Sequence, residues 1–303
     1  MKLLAPAKIN LHLRVGPVNR QTGFHPLMSW FCTVGLFDTL LIEQDPKSAV
    51  PFSLTCNDPS LPCDVTNLVV RAADALRRST GEVGKALSKI RAQLQKRIPA
   101  GGGLGGGSSD AARTLLGLNR MWLLNHSIEH LSGIAATLGS DVPFFLHGPS
   151  SVCTSRGEVV EPIRNPKPKA AVLIFPRIAI STPAAYRVFD KMKLGDPDSI
   201  RTPPDWQQWA ELSAGPLLSR LVNDLEAPAF AICPELASLR LTLEKSLGRT
   251  VRMSGSGSTL FTLFDDFAEA ESAVARIQEC CGLRALATQL APTICDDLTS
   301  QHS

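Results

Sequence analysis

No stretch of about 18 apolar residues occurs in this sequence, so no segment has the length of a membrane-spanning helix. Charge of one sign is not in excess either. The 31 basic and 28 acidic side chains leave a net +3, too little for the basic stripe of a nucleic-acid-binding surface. The eight cysteines form no C-x-x-C pair and are expected to be reduced and mostly buried. His126 and His130 have helical i, i+4 spacing, but no Glu follows His126 and no third ligand is near in sequence, so no metal site is expected. The first residues are no signal peptide, because Lys8, Asn10, His12 and Arg14 interrupt the apolar stretch. A cytoplasmic protein that binds neither nucleic acid nor membrane is the expectation.

What is present is an ordinary globular composition, 44% apolar and 19% charged over 303 residues, enough for about two domains. The 22 glycines match the average share, yet six of them fall within Gly101–Gly107. Residues 8–15 alternate polar and apolar, which predicts a half-buried strand with Lys8, Asn10, His12 and Arg14 on its solvated face. Further strands are expected over 31–43 and 89–96, with a helix capped by Thr66 between them. Helices are expected over 108–120 and 127–138, the second stopping at Gly139, and another begins near Ser140 and Asp141. Beyond Gly148 come short strands (151–154, 170–175), a helix after Thr182-Pro183, a proline-rich stretch (195–204) and two or three helices. A strand–turn–strand–helix–strand unit over 250–289 follows, and the polar tail after Pro292 is expected to fray. This irregular mixture reads as α+β, with a domain boundary near residue 150: 1–150 and 151–303.

The glycine run links a predicted strand to a predicted helix. Glycine permits positive φ and close backbone approach, and a helix N-terminus offers free N–H groups to phosphate. Pro99 stiffens the entrance, and Ser108 and Ser109 add hydroxyls, which argues against a flexible linker. A Walker A loop requires a lysine that this run lacks. Gly101, Gly103 and Gly106 satisfy G-x-G-x-x-G, but no suitable acidic residue follows about 20 positions on for a Rossmann site. The protein-kinase companions H-R-D and D-F-G are absent. A phosphate-cradling loop remains, whose lysine comes from elsewhere in the chain.

Three segments together resemble the GHMP superfamily of galactokinase, homoserine, mevalonate and phosphomevalonate kinases: Pro6-Ala7-Lys8-Ile9-Asn10-Leu11, Pro99 to Ala112, and Arg252 to Ser258. Within it, Gly23-Phe-His-Pro-Leu27, Thr66-Asn-Leu68 and Leu138-Gly-Ser-Asp-Val-Pro-Phe144 are similar to the kinases that use ATP to phosphorylate the 2-hydroxyl of 4-diphosphocytidyl-2-C-methyl-D-erythritol, in the non-mevalonate route to isoprenoids. The resemblance implies a two-domain fold, with an N-terminal half like ribosomal protein S5 domain 2 and a ferredoxin-like C-terminal half. It also implies a catalytic pair, Lys8 and Asp141. Read without the resemblance, Lys8 is a residue on a solvated strand face and Asp141 a helix N-cap.

The same resemblance assigns Asn67, Lys96, Pro99, Gly101, Gly102, Gly103, Leu104, Gly105, Gly106, Gly107, Ser108 and Ser109 to ATP. To the cytidyl-polyol it assigns Asn10, His25 against the base edge, and Phe24, Phe31 and Tyr186 as a stacking box. Thr182 and the loop Gly255, Ser256 and Gly257 complete the substrate side. Magnesium is expected with ATP, with no identified protein ligand, and the assembly is expected to be a monomer or weak homodimer. Two residues depart from the family pattern: Phe24 stands where tyrosine is common, and Asp110 where asparagine is. Another kinase of the superfamily and a catalytically silent nucleotide-binding sensor remain open alternatives, and a Rossmann oxidoreductase is a more remote one.

Overall fold

The computed structural model describes residues 1–299. Two sheets organise them. The first contains β1 (Lys2–Val15), β2 (Leu27–Gln44), β3 (Phe52–Cys56), β4 (Ile90–Gln95), β5 (Ser150–Ser155) and β6 (Val159–Pro162). The 18-residue β2 is its spine. β2 pairs with β1 along one edge, and with β4 and β5 at its two ends on the other. The second sheet runs β10-β7-β9-β8, antiparallel throughout, from β7 (Ala170–Phe175), β8 (Arg252–Met253), β9 (Leu260–Phe264) and β10 (Arg284–Gln289). With helices between β7 and β8 and between β9 and β10, this is the β-α-β-β-α-β order of a ferredoxin-like unit.

The expected boundary at residue 150 coincides with the first residue of β5. Because β5 and β6 extend the first sheet, the two sheets divide between Pro162 and Ala170 instead. Periodicity could not reveal this, since strand membership is set by long-range pairing. The halves also share a core: Ala7, Ile9, Leu11 and Trp30 pack with Leu173, Leu217 and Phe261. A separate cluster fills the space between the first sheet and the helices Leu68–Ser79, Gly106–Met121 and Ile128–Leu138.

The strand expected over 8–15 is present and longer, but its polar face is not solvated. Lys8, Asn10 and His12 are all buried. Trp206 and Trp209 stand edge-on to the His12 ring at 5.6 and 5.4 Å, and the Val222 N–H donates to its Nδ1 at 3.3 Å. Burial, aided by Arg14 and Arg252, pushes its pKa down to about 3, so this imidazole is neutral. Register shifts in the β1–β2 ladder occur between Pro6 and Ala7 and between Asn10 and His12. They bracket the segment that carries Lys8, as bulges beside functional sites commonly do.

Two local expectations are corrected. Asn67, not Thr66, caps the helix Leu68–Ser79: its side-chain oxygen accepts the Val69 N–H at 2.9 Å, while Thr66 turns to Asp64. The tail does not fray before residue 299. Asp296 is buried against Arg113 and accepts the Leu4 N–H at 2.9 Å, and Asp297 accepts the Lys2 N–H at 2.7 Å. A polar tail lacks hydrophobic periodicity, so this docking through buried charge left no pattern to read. Replacing Asp296 with alanine is expected to cost about 3–5 kcal/mol of unfolding free energy, as when one partner of a buried ion pair is removed. Urea denaturation measures it; a loss of about 1 kcal/mol or less, typical of exposed pairs, would show that the tail contributes little.

Candidate active site

The glycine run leaves β4 and enters the helix Gly106–Met121, so the helix begins two residues earlier than expected. Gly105 caps it with φ +69°, and a Cβ there would lie 3.0 Å from the Lys8 side chain. Gly103, at φ +74°, passes so close to the second glycine loop that a Cβ would lie 2.3 Å from the Ser254 carbonyl oxygen. Glycine is required at both places for left-handed backbone and close approach. The Lys8 backbone N–H donates to the Leu104 carbonyl at 2.9 Å, tying the loop to β1.

At this junction the buried Lys8 ammonium donates to Asn10 Oδ1 at 2.6 Å, lies 3.3 Å from Asp141 Oδ2 and sits 4.4 Å above the Phe31 ring. Asp141 is on the turn between the helix Ile128–Leu138 and a short helix, Phe144–His147. That short helix takes no side-chain cap, so Asp141 is not its N-cap. Its side chain is about a third exposed, against 4% for that of Lys8. A solvent-facing carboxylate backed by a buried ammonium can orient an incoming hydroxyl and accept its proton, with positive charge held in place for a phosphoryl group.

A cavity of about 410 Å³ opens on the other side of the loop. Leu61, Pro62, Asn67, Lys96, Pro99, Gly101–Gly107 and Ser108 line it. Backbone N–H groups at the start of a helix suit this cavity to polyphosphate. Ser109, expected at the phosphates, is fully buried and is not among the residues that line the cavity. Lys96 reaches the wall, but its ammonium is held by Asp38 and by Asp110 Oδ2, the latter at 2.7 Å. Asp38 belongs to no motif; an acid between Phe37 and Thr39 in a largely apolar strand is the signal that marks it.

On the far side, Asn10 donates through Nδ2 to Ser29 at 3.0 Å, and its backbone N–H donates to Ser254 Oγ at 3.2 Å. Ser254, within the third motif but without an assigned role there, donates in turn to the Gly103 carbonyl at 2.9 Å and so links both glycine loops to β1. Gly255 lies against Asn10, where a Cβ would be 3.2 Å from Oδ1, and Ser256 pairs with Thr182 at 2.7 Å. Gly257 completes that turn, whose backbone is braced by Asn223 donating to the Met253 and Gly255 carbonyls, each at 2.8 Å.

The expected aromatic box is only partly assembled. His25 packs against Tyr186 at 5.0 Å and bonds Asp190 at 2.8 Å through Nε2. Burial first, then the charge of Asp141, push the Tyr186 phenol up to about 12. Phe24 is 52% exposed beneath Arg156, 5.0 Å from its ring. Phe31 does not join them: it is buried edge-to-face with Phe144 at 5.2 Å, under Lys8. Its place on the long buried strand β2, invisible to a motif, makes it a core residue.

Residues 67–149 match the GHMP kinases N terminal domain, and residues 203–282 match the GHMP kinases C terminal domain. A 4-diphosphocytidyl-2-C-methyl-D-erythritol kinase of Prochlorococcus marinus (strain MIT 9303) is 40% identical over 90% of this chain and 87% of its own length. The crystal structure of a 4-(cytidine 5'-diphospho)-2C-methyl-D-erythritol kinase superposes with a TM-score of 0.76 at 34% identity, covering 97% of this chain and all of that one. A homoserine kinase from Cytophaga hutchinsonii, with a TM-score of 0.69 at 15% identity over 97% of this chain and 94% of that one, shares the fold. Full-length identity of this order, both domain matches and the paired glycine loops agree: the chain belongs to the 4-diphosphocytidyl-2-C-methyl-D-erythritol kinase family of GHMP kinases.

Proposed function

We propose that this chain is a cytoplasmic enzyme, a monomer or weak homodimer, that transfers the terminal phosphoryl group of ATP to the 2-hydroxyl of 4-diphosphocytidyl-2-C-methyl-D-erythritol in non-mevalonate isoprenoid synthesis. The observation that carries this reading is the buried Lys8 ammonium, 3.3 Å from Asp141, on the strand whose backbone holds the glycine loop. Phosphoryl transfer asks for alignment and charge neutralisation more than covalent chemistry. In this reading Asp141 holds the acceptor hydroxyl and takes its proton, while Lys8 balances charge on the phosphoryl oxygens. Gly101–Gly107 and Ser108 wrap the phosphates, and Asn67 and the wall formed by Lys96 and Pro99 face the adenosine.

On the acceptor side, Asn10, Thr182 and the loop Gly255–Gly257 face the polyol, and His25 faces the cytosine between Phe24 and Tyr186. A carboxylate partner requires His25 Nε2 to donate to Asp190, which leaves Nδ1 for the base edge. Magnesium belongs to the reading as the counter-ion of ATP, where it neutralises phosphate charge. Ser108, which lines the cavity, would share the ion with phosphate oxygens and water.

Purified protein is expected to consume ATP with the cytidyl-polyol and not with homoserine or mevalonate; equal turnover of all three would refute the substrate assignment. Asp141→Asn should lower kcat by roughly a hundredfold or more, in the range of lost general-base catalysis, with little change in ATP affinity. A near-normal kcat would remove Asp141 from the chemistry. His25→Ala should raise KM for the cytidyl substrate and leave KM for ATP nearly unchanged. A parallel rise in both would make His25 a support for the fold.

A further inference from the structure

One stripe of the helix Thr182–Lys191 runs along the acceptor side. Thr182, Tyr186 and Asp190 follow one another at i, i+4 and i+8, so their side chains share a face. Thr182 pairs with Ser256 of the second glycine loop at 2.7 Å, and the Tyr186 ring packs on the His25 ring at 5.0 Å with a tilt of 38°. Asp190 ends the stripe with its Oδ1 at 2.8 Å from His25 Nε2. Phe189, beside it, meets the same imidazole edge-on at 5.6 Å. Residues from one turn of one helix therefore fix a single ring, whose side chain is only 8% exposed. No lysine or arginine among the described residues forms an ion pair with Asp190, so its carboxylate is committed to this imidazole.

An ionised carboxylate accepts hydrogen bonds and cannot donate them. In the neutral ring one nitrogen donates and the other accepts, so Asp190 selects the tautomer of His25 with its proton on Nε2 and leaves Nδ1 as an acceptor. Cytosine offers a single donor along its pairing edge, the 4-amino group, and uracil carries an oxygen at the same position. An Nδ1 acceptor therefore matches cytosine, whereas uracil would set two lone pairs against each other.

We infer that Asp190 is a specificity-determining positioning residue: by fixing the tautomer of His25 it makes the acceptor site choose cytosine over uracil. The inference rests on the reading of this face as the seat of the cytidyl group. Exchanging a hydrogen bond for an acceptor left unpaired and desolvated corresponds to a preference of about tenfold to a hundredfold. Asp190→Asn keeps the shape of the side chain, but its amide donates as well as accepts. The ring is then free to take either tautomer, including the one that donates from Nδ1 to the uracil oxygen.

Turnover of the cytidyl-polyol and of its uridyl analogue, at a pH about two units above the ordinary imidazole value, reads the preference as a ratio of kcat/KM. Wild type is expected to favour the cytidyl substrate by about tenfold or more, and Asp190→Asn to lose about tenfold of that ratio. The change should fall on KM for the acceptor, with KM for ATP unmoved. Asp190→Glu, which keeps an acceptor-only group, should retain more of the ratio than Asp190→Asn. Nitrogen-15 spectra of the free protein should show the His25 proton on Nε2 in wild type and shared between the two nitrogens in Asp190→Asn. A role confined to packing would lower turnover of both substrates alike and leave the tautomer unmoved. Equal use of both substrates by wild type, an unchanged ratio in Asp190→Asn, or a wild-type proton on Nδ1 would overturn the inference and leave the kinase reading intact. Failure of wild type to phosphorylate either substrate would overturn both.

Discussion

Lys8 fixes the geometry of the site through two groups that point in different directions. Its backbone N–H holds the Leu104 carbonyl and so sets the path of the glycine loop over β1. Its ammonium, buried on the other side, is held by Asn10 and Asp141. A buried ammonium left without such oxygens would cost several kcal/mol. The glycine loop, Asp141 and the first strand are therefore located by one residue, and a shift in any of them is felt by the others.

Two buried lysines flank the loop in opposite electrostatic settings. Lys8 meets one carboxylate that is open to solvent, so its charge remains partly available to a ligand. Lys96 meets two carboxylates in a closed wall, so its charge is more than cancelled. That difference suits the first to meeting a ligand and the second to holding the wall together.

The C-terminal half does more than carry a domain. Ser254 bridges Asn10 to Gly103, Asn223 braces the loop around Gly255, and Trp206 and Trp209 seal His12 from water. The site lies where the two halves share their apolar core, which is why Lys8, Asn10 and His12 of β1 are dry.

Much of this was legible in the chain alone. Strict alternation over 8–15, the apolar spacing of the helices and the glycine run all depend on neighbours within a few residues, and such local patterns map directly onto strands, helices and a loop. The three superfamily motifs located Lys8 and both glycine loops, and the stretch Leu138–Phe144 located Asp141. Tertiary structure decided the rest: that the polar face of β1 is buried, that β5 and β6 extend the first sheet past residue 150, and that Phe31 and Ser109 lie in the interior. It also brought Asp38 and Asp110 to the same ammonium, 72 residues apart in sequence. Burial and charge pairing across such distances depend on which surfaces meet, and no local period in a sequence encodes that.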